Sequence, residues 1–270
     1  MTMADELVEL TPYAAELRRA RTRAGLTQAE LAEKIMFSTA LVSMVEQCRR
    51  VPSLPFTRRC DELLQTDGLL ERIRGYTLNA QTLPWFAHWI SVEREAVDLR
   101  SFQPLIVPGL LQAEEYARAV YQGSGQFTGD ELEQLVAARM DRQEIFARPR
   151  PPRCVFVVDE YVLRRVVGGP KVMLAQLEHL VAMLDQRTFR LQVVPAAAGA
   201  YTGLDGAFTI ASVAAVGQDV AYLENRLRGA YVEEPDDVAS LRTAWETVRA
   251  DALSPQHTEA LMKELVQTWS

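Results

Sequence analysis

Apolar positions in the first 65 residues recur with helical rather than strand spacing. Ala14, Leu17 and Ala20 follow one another at three-residue intervals behind Pro12, which predicts a first helix opening at that proline. Gly25 is placed to end it, since glycine suits the left-handed residue that closes many helices. Thr27 stands three residues before Glu30, the spacing of a capping box, and Leu26 and Leu31 flank that cap as a hydrophobic staple. A second helix then carries Leu31, Ala32 and Ile35 inward. Ser38 predicts the cap of a third helix, with Phe37 and Val42 as its staple. Two short helices separated by about three residues form a helix-turn-helix.

The third helix divides by face. Leu41, Val42 and Val45 fall on one side, fit to pack on the first two helices, and Thr39, Ala40, Ser43, Met44 and Gln47 share the other. An ordinary surface helix presents Lys and Glu on its outer face. Small, uncharged and methyl-bearing side chains suit a helix in a major groove instead: Ser and Thr bond either kind of base edge, Gln reads adenine, and Ala or Met touches a thymine methyl. Arg49 and Arg50 follow directly and are placed to reach backbone phosphates, together with Gln28 and Ser38 at helix N-termini. A plain protein-interaction bundle with a polar face shares some of these features. The agreement of caps, staples and face chemistry favours DNA.

Beyond Pro55 a fourth helix runs through Cys60, Leu63 and Leu64, and Gly68 starts a segment lasting to about Ala80. The aromatic stretch Trp85-Phe86-Ala87-His88-Trp89 marks a change of character, read first as core or interface. From there the pattern alternates. Residues 100–107 are extended and limited by Pro104 and Pro108, 112–122 are helical, and Asp130 caps a longer amphipathic helix that ends before Pro149. Cys154–Val158 reads as a buried strand from its continuous apolar run. A helix follows Gly168-Gly169-Pro170; further strands fall near 189–194, 207–211 and 220–223; two helices over about 236–250 and 255–268 close the chain. The predicted fold is thus multidomain. An all-α helix-turn-helix bundle occupies residues 1–80, and a mixed α/β (α+β) sandwich, one sheet covered by helices, occupies 81–270.

Charge sharpens this division. The chain carries a net −7, yet nine cations and only three carboxylates lie between Arg18 and Arg59. A basic N-terminal module on an acidic body is the asymmetry expected when one part meets phosphate. Asp5, Glu6 and Glu9 with no apolar run behind them predict no secretory signal, and no stretch is apolar enough to predict a membrane span, so a cytoplasmic, nucleoid-associated protein is expected. Cys48, Cys60 and Cys154 form no ligand cluster and read as reduced thiols.

No catalytic constellation, metal site or cofactor motif stands out, and the chain is expected not to be an enzyme. His88, His179 and His257 are scattered without partners at ligand spacing. Asp159-Glu160 stands behind a strand, where catalytic carboxylates often sit, and a helix cap explains it as well. Gly168-Gly169-Pro170-Lys171 opens a helix that could hold an anion but lacks the Walker pattern and reads better as a tight turn. The acidic run from Glu233 to Asp237 reads as a solvated turn into a helix.

The stretch LRRARTRAGLTQAELAEKIMFSTALVSMVEQCRRVPS resembles the XRE-type (phage-repressor-like) helix-turn-helix family, which Leu17, Gly25, Leu26, Thr27, Gln28, Leu31, Ala32, Ser38, Val42, Ser43, Glu46, Arg49 and Pro52 fit. The resemblance implies that the helix beginning at Ser38 is the recognition helix, and that Glu46 braces it by pairing with Arg18 or Arg21. One departure is Met36, where the family has glycine: either this residue takes the left-handed conformation or the turn differs. The segments FQPLIVPGLLQAEEYARAV, VAARMDRQEIF, VVGGPKVMLAQLEHL and LQVVPAAAGAYTGLDGAFTI resemble the C-terminal domain of a large actinobacterial regulator family. That likeness implies a regulatory domain of unassigned biochemistry, a small acidic partner protein, and ties to development and antibiotic production. Family habit also implies a homodimer on a pseudo-palindromic site.

Three readings of the second half follow. It binds a protein partner or dimerises; it senses a small-molecule effector in a pocket lined by residues such as Trp85, Trp89 and Phe102; or it is a fused enzyme. An exposed apolar patch favours the first, a cavity of roughly 300 Å³ with convergent polar groups the second, and a desolvated titratable group in a cleft the third.

Overall fold

The computed structural model describes residues 3–50, 52–74, 84–214, 217–224 and 229–269. In chain order the helices are α1 (Met3–Arg23), α2 (Gln28–Ile35), α3 (Thr39–Glu46), α4 (Leu54–Leu64), α5 (helical over 69–74), α6 (Pro84–Glu95), α7 (Glu114–Gly123), α8 (Gly129–Arg142), α9 (Glu160–Arg164), α10 (Pro170–Asp185), α11 (Pro235–Asp251) and α12 (Pro255–Trp269). The strands are β1 (Ala96–Gln103), β2 (Arg153–Asp159), β3 (Arg190–Val194), β4 (Phe208–Val213), β5 (Asp219–Leu223) and β6 (Ala230–Val232). Two compact units result: Met1–Pro84 with Ser124–Asp141, and Trp85–Gly123 with Arg142–Ser270.

The first unit is helical. Tyr13, Leu17, Leu31, Ile35, Val42, Val45, Phe56, Cys60 and Leu70 are buried in one cluster, drawn from α1 to α5. Each fully buried Leu, Ile or Phe of this set contributes about 1.5–3 kcal/mol, so the packing of short helices outweighs their weak independent stability. Helix ends follow the local rules. Thr27 and Glu30 form the reciprocal capping box, and Ser38 accepts from the Leu41 amide. At the end of α1, Gly25 has φ +70°, and the amides of Gly25 and Leu26 return to the carbonyls of Thr22 and Arg21, a Schellman closure. Asp61 ties α4 to α5 by accepting from the amides of Leu70 and Glu71, both at 2.9 Å.

Two details depart from expectation. The first helix does not open at Pro12: α1 begins at Met3 and carries Pro12 inside. Ala4, Glu6, Leu7, Glu9 and Leu10 are strong helix formers that extend it upstream, although Pro12 can donate no helical hydrogen bond. The extended segment expected over 100–107 is displaced to Ala96–Gln103, with Pro104 standing just beyond its end.

In the second unit the described strands form a six-stranded sheet ordered β3-β2-β1-β4-β5-β6. β1, β2 and β3 run parallel, and β4, β5 and β6 continue antiparallel. Side chains alternate between two apolar layers. Leu99, Phe156, Val158, Leu191, Val193, Val220 and Tyr222 meet residues of α6, α7, α9, α10 and α12 on one face. Phe102, Val157, Val194, Ile210 and Ala221 meet Trp245 and Val248 of α11 on the other. Strand β2 is covered on both faces, which explains its uninterrupted apolar sequence. Glu93 and Arg142 pair inside this unit through two hydrogen bonds of 2.9 and 2.8 Å, and Arg142 lies 4.8 Å from the Phe86 ring.

Candidate nucleic-acid interface

The interface is built on α3. Its inward residues Val42 and Val45 are buried, while Thr39, Ala40, Met44 and Gln47 are exposed and Ser43 is half-buried. Gln47 is the terminal cap of the helix, and its Nε2 donates to Ser43 Oγ at 3.0 Å. The structure therefore brings together the five residues expected to face bases, two of them already joined to each other.

A buried carboxylate fixes the tilt of this helix. The Glu46 side chain is 0% exposed and receives Arg21 Nε at 2.6 Å and Nη2 at 3.0 Å. Gln28 Nε2 donates to the same carboxylate at 2.8 Å, and Arg18 Nη2 donates to the Glu46 carbonyl at 2.8 Å. Burial by itself would raise the Glu46 carboxyl, but the hydrogen bonds from Arg21 and Gln28 outweigh it and hold the group below the usual carboxylate range. The same bond to Glu46 raises the Arg21 guanidinium. Gln28, expected at a phosphate, is thus placed as a donor to the brace, at the first position of α2.

The turn before α3 resolves the question raised by Met36. This residue is left-handed, with φ 60° and ψ 45°, and is 79% exposed. The amides of Met36 and Phe37 return to Glu33 and Ala32, so the turn keeps the Schellman form and Met36 absorbs the steric cost. Cys48 plays the same part after α3, with φ 59°. Past it, Arg49 and Arg50 are exposed, and Arg50 Nη1 lies 3.7 Å from Glu133 Oε2 of α8. No sequence signal linked Glu133 to the basic segment.

In the second unit the expected groups are occupied differently. Trp89 is buried and stacked on Tyr222, with ring centroids 5.3 Å apart. Phe102 is buried on the opposite face of the sheet beside Tyr201 and Phe208, so it does not join Trp89 around a pocket. The side chain of Trp85 lies outside the described residues. Asp159 caps α9 by accepting from the Tyr161 amide at 2.8 Å, and its second oxygen accepts from the Tyr201 hydroxyl at 2.6 Å. Burial lowers the His179 imidazole below its ordinary value. Gly168 has φ +69°, and a β-carbon there would stand 2.8 Å from Ala119 Cβ, so the Gly168-Gly169-Pro170 turn serves close packing of α10 on α7. Burial pushes the Cys60 and Cys154 thiols up to about 12. No helix among the described residues is long and apolar enough to cross a membrane.

Two family models match the chain. Residues 12–72 match a helix-turn-helix domain, and residues 86–264 match a domain of unknown function, DUF5753. Searches of the curated proteins and of the solved structures find no match to the chain. The first match supports a DNA-binding regulator. With the second spanning more than half of its length, the chain belongs to the DUF5753 family, joined to an N-terminal helix-turn-helix domain.

Proposed function

We propose that the protein is a sequence-specific transcription regulator of the XRE type, whose α3 reads base edges in the major groove. One observation carries this reading: the exposed face of α3 is uncharged and methyl-bearing, and the helix is locked by the buried Glu46–Arg21 pair with two exposed arginines at its end. Thr39, Ala40, Ser43, Met44 and Gln47 face bases. Arg49, Arg50 and the Ser38 end of α3 hold phosphates, while Gln28 reaches a phosphate only by leaving Glu46. In this reading two copies place their α3 helices in successive major grooves of a pseudo-palindromic operator, about 34–36 Å apart.

The DUF5753 unit is read as regulatory rather than catalytic, acting through dimerisation or a protein partner. Leu105, Tyr161, Val166 and Leu204 are 59–62% exposed; Leu105 and Tyr161 lie just past the ends of β1 and β2, Val166 just past α9, and Leu204 in the turn before β4. Exposed apolar side chains at one end of a sheet favour a protein-facing surface over an enclosed ligand pocket. Exposed Arg165 beside them, next to Arg164 that pairs with Glu160 at 2.6 Å, suits an acidic partner of the kind the family resemblance implies.

The test is recovery of genomic DNA fragments by the purified protein, followed by the same experiment with Arg49 and Arg50 replaced by Ala. A discrete inverted repeat, lost in the variant, is the expected result. Enrichment of a single unrepeated half-site would contradict the dimer, and no enrichment at all would contradict autonomous reading.

A further inference from the structure

The chain passes from the second unit after Gly123, contributes residues 124–141 to the first, and returns to the second at Arg142. α8 therefore lies within the DUF5753 match by sequence and in the DNA-binding unit by packing. It opens on an acidic turn, Asp130 and Glu131, followed by Glu133. Glu133 faces Arg50 at 3.7 Å. Eight residues further, about 12 Å along the helix, Asp141 pairs with Arg74, their side chains only 14% and 5% exposed. Arg74 in turn donates from Nε to the Pro52 carbonyl at 2.6 Å. The helix is thus fastened at two points, directly to Arg50 just past the recognition helix and to Arg74 of α5, which itself holds the Pro52 carbonyl, and the first of those points is an arginine assigned to phosphate. The residue after Asp141 is Arg142, held within its own unit by Glu93.

We propose that α8 is a regulatory arm of the DUF5753 domain, which in its docked position lowers DNA affinity by holding Arg50 against Glu133. A phosphate that approaches Arg50 meets a carboxylate already there, so DNA must displace the ion pair or bind without it. Any event in the second unit that draws α8 away frees Arg50 and raises affinity. The proposal rests on the reading of Arg50 as a phosphate contact.

The experiment measures binding of the full chain to a duplex of its selected sequence, across a range of salt, for the parent, Glu133→Gln, Arg50→Ala and the double variant. Glu133 is part-exposed and Glu133→Gln keeps the size and shape of its side chain, and circular dichroism with thermal unfolding checks that the fold is unchanged. Glu133→Gln is expected to bind about two- to fivefold more tightly at low salt. Arg50→Ala is expected to bind more weakly, and adding Glu133→Gln to it should change nothing. If Arg50→Ala weakens binding while Glu133→Gln does not tighten it, the arm is wrong and the phosphate reading stands. If Arg50→Ala leaves affinity and salt dependence unchanged, the phosphate reading fails and takes the arm with it. A gain from Glu133→Gln that persists without Arg50 also overturns the proposed pairing.

Discussion

Arg21 places its Nε 2.6 Å and its Nη2 3.0 Å from the two carboxylate oxygens of Glu46, joining the end of the recognition helix to the first helix. The Glu46 carboxylate has no exposed surface, so removing its main partner leaves a buried charge held only by Gln28 at 2.8 Å and by Arg18 at 3.7 Å. Because those partners remain, Arg21→Ala is expected to destabilise the N-terminal unit by about 2–4 kcal/mol, less than for a buried charge left with no partner. Denaturant unfolding measures this directly, and a loss below about 1 kcal/mol, the range of an exposed pair, would deny the brace its role.

The same pair fixes a pH dependence. The folded Glu46 carboxyl titrates below its unfolded value, so the unfolded chain binds a proton first as pH falls. Its contribution is complete above the ordinary glutamate range, near pH 4.3, and is lost as pH drops through the lower folded value. Glu46→Gln should therefore flatten the acid limb of a stability–pH curve, and an acid limb identical to the parent's would contradict the shift.

Met36 holds a left-handed backbone with its side chain in solvent. Met36→Gly removes a steric cost of roughly 1–2 kcal/mol, partly offset by the greater freedom glycine gives the unfolded chain. A net gain of about 0.5–1 kcal/mol in unfolding free energy is expected; a destabilised variant would mean that the side chain makes an interaction worth keeping.

Gly168 presents the opposite case. A methyl group there would meet Ala119 and Val172 at 2.8 and 3.0 Å on a backbone at φ +69°. Gly168→Ala should destabilise the second unit by about 1–3 kcal/mol, and a neutral result in thermal unfolding would show that α7 and α10 separate easily.

These elements differ in how far they were legible in the sequence. The caps at Thr27 and Ser38 and the closure at Gly25 are local devices, each written within a few residues, so spacing alone revealed them. Strand β2 was visible because burial on both faces demands an unbroken apolar run. Strand β6 is three half-buried residues at the sheet edge, too short for any period to declare it. Trp89 and Phe102 looked like neighbours among aromatics, yet strand alternation sends Phe102 to the α11 layer while Trp89 on α6 joins the other. Glu133 and Asp141 meet Arg50 and Arg74 only through tertiary folding, and an amphipathic helix with an acidic first turn gives no hint of its partner.

Arg49 and Arg50 form the electrostatic half of the interface. Replacing both by Ala should weaken binding to every duplex and lower the slope of log affinity against log salt by about 0.9 for each phosphate no longer neutralised. An unchanged slope would remove both residues from the phosphate-binding set.

The central claim is that the exposed face of α3 reads sequence, and selection from a random duplex library tests it most directly. Parent, Ser43→Ala and Gln47→Ala proteins would be compared by ranking the sequences each enriches. The two side chains are hydrogen-bonded at 3.0 Å, so both variants should relax preference at the same or adjacent base pairs. Discrimination is expected to fall by about 1–3 kcal/mol for each bidentate pairing with a base that is removed. Variants that keep the parent's ranking while binding every sequence more weakly would contradict the assignment and leave α3 as a structural helix.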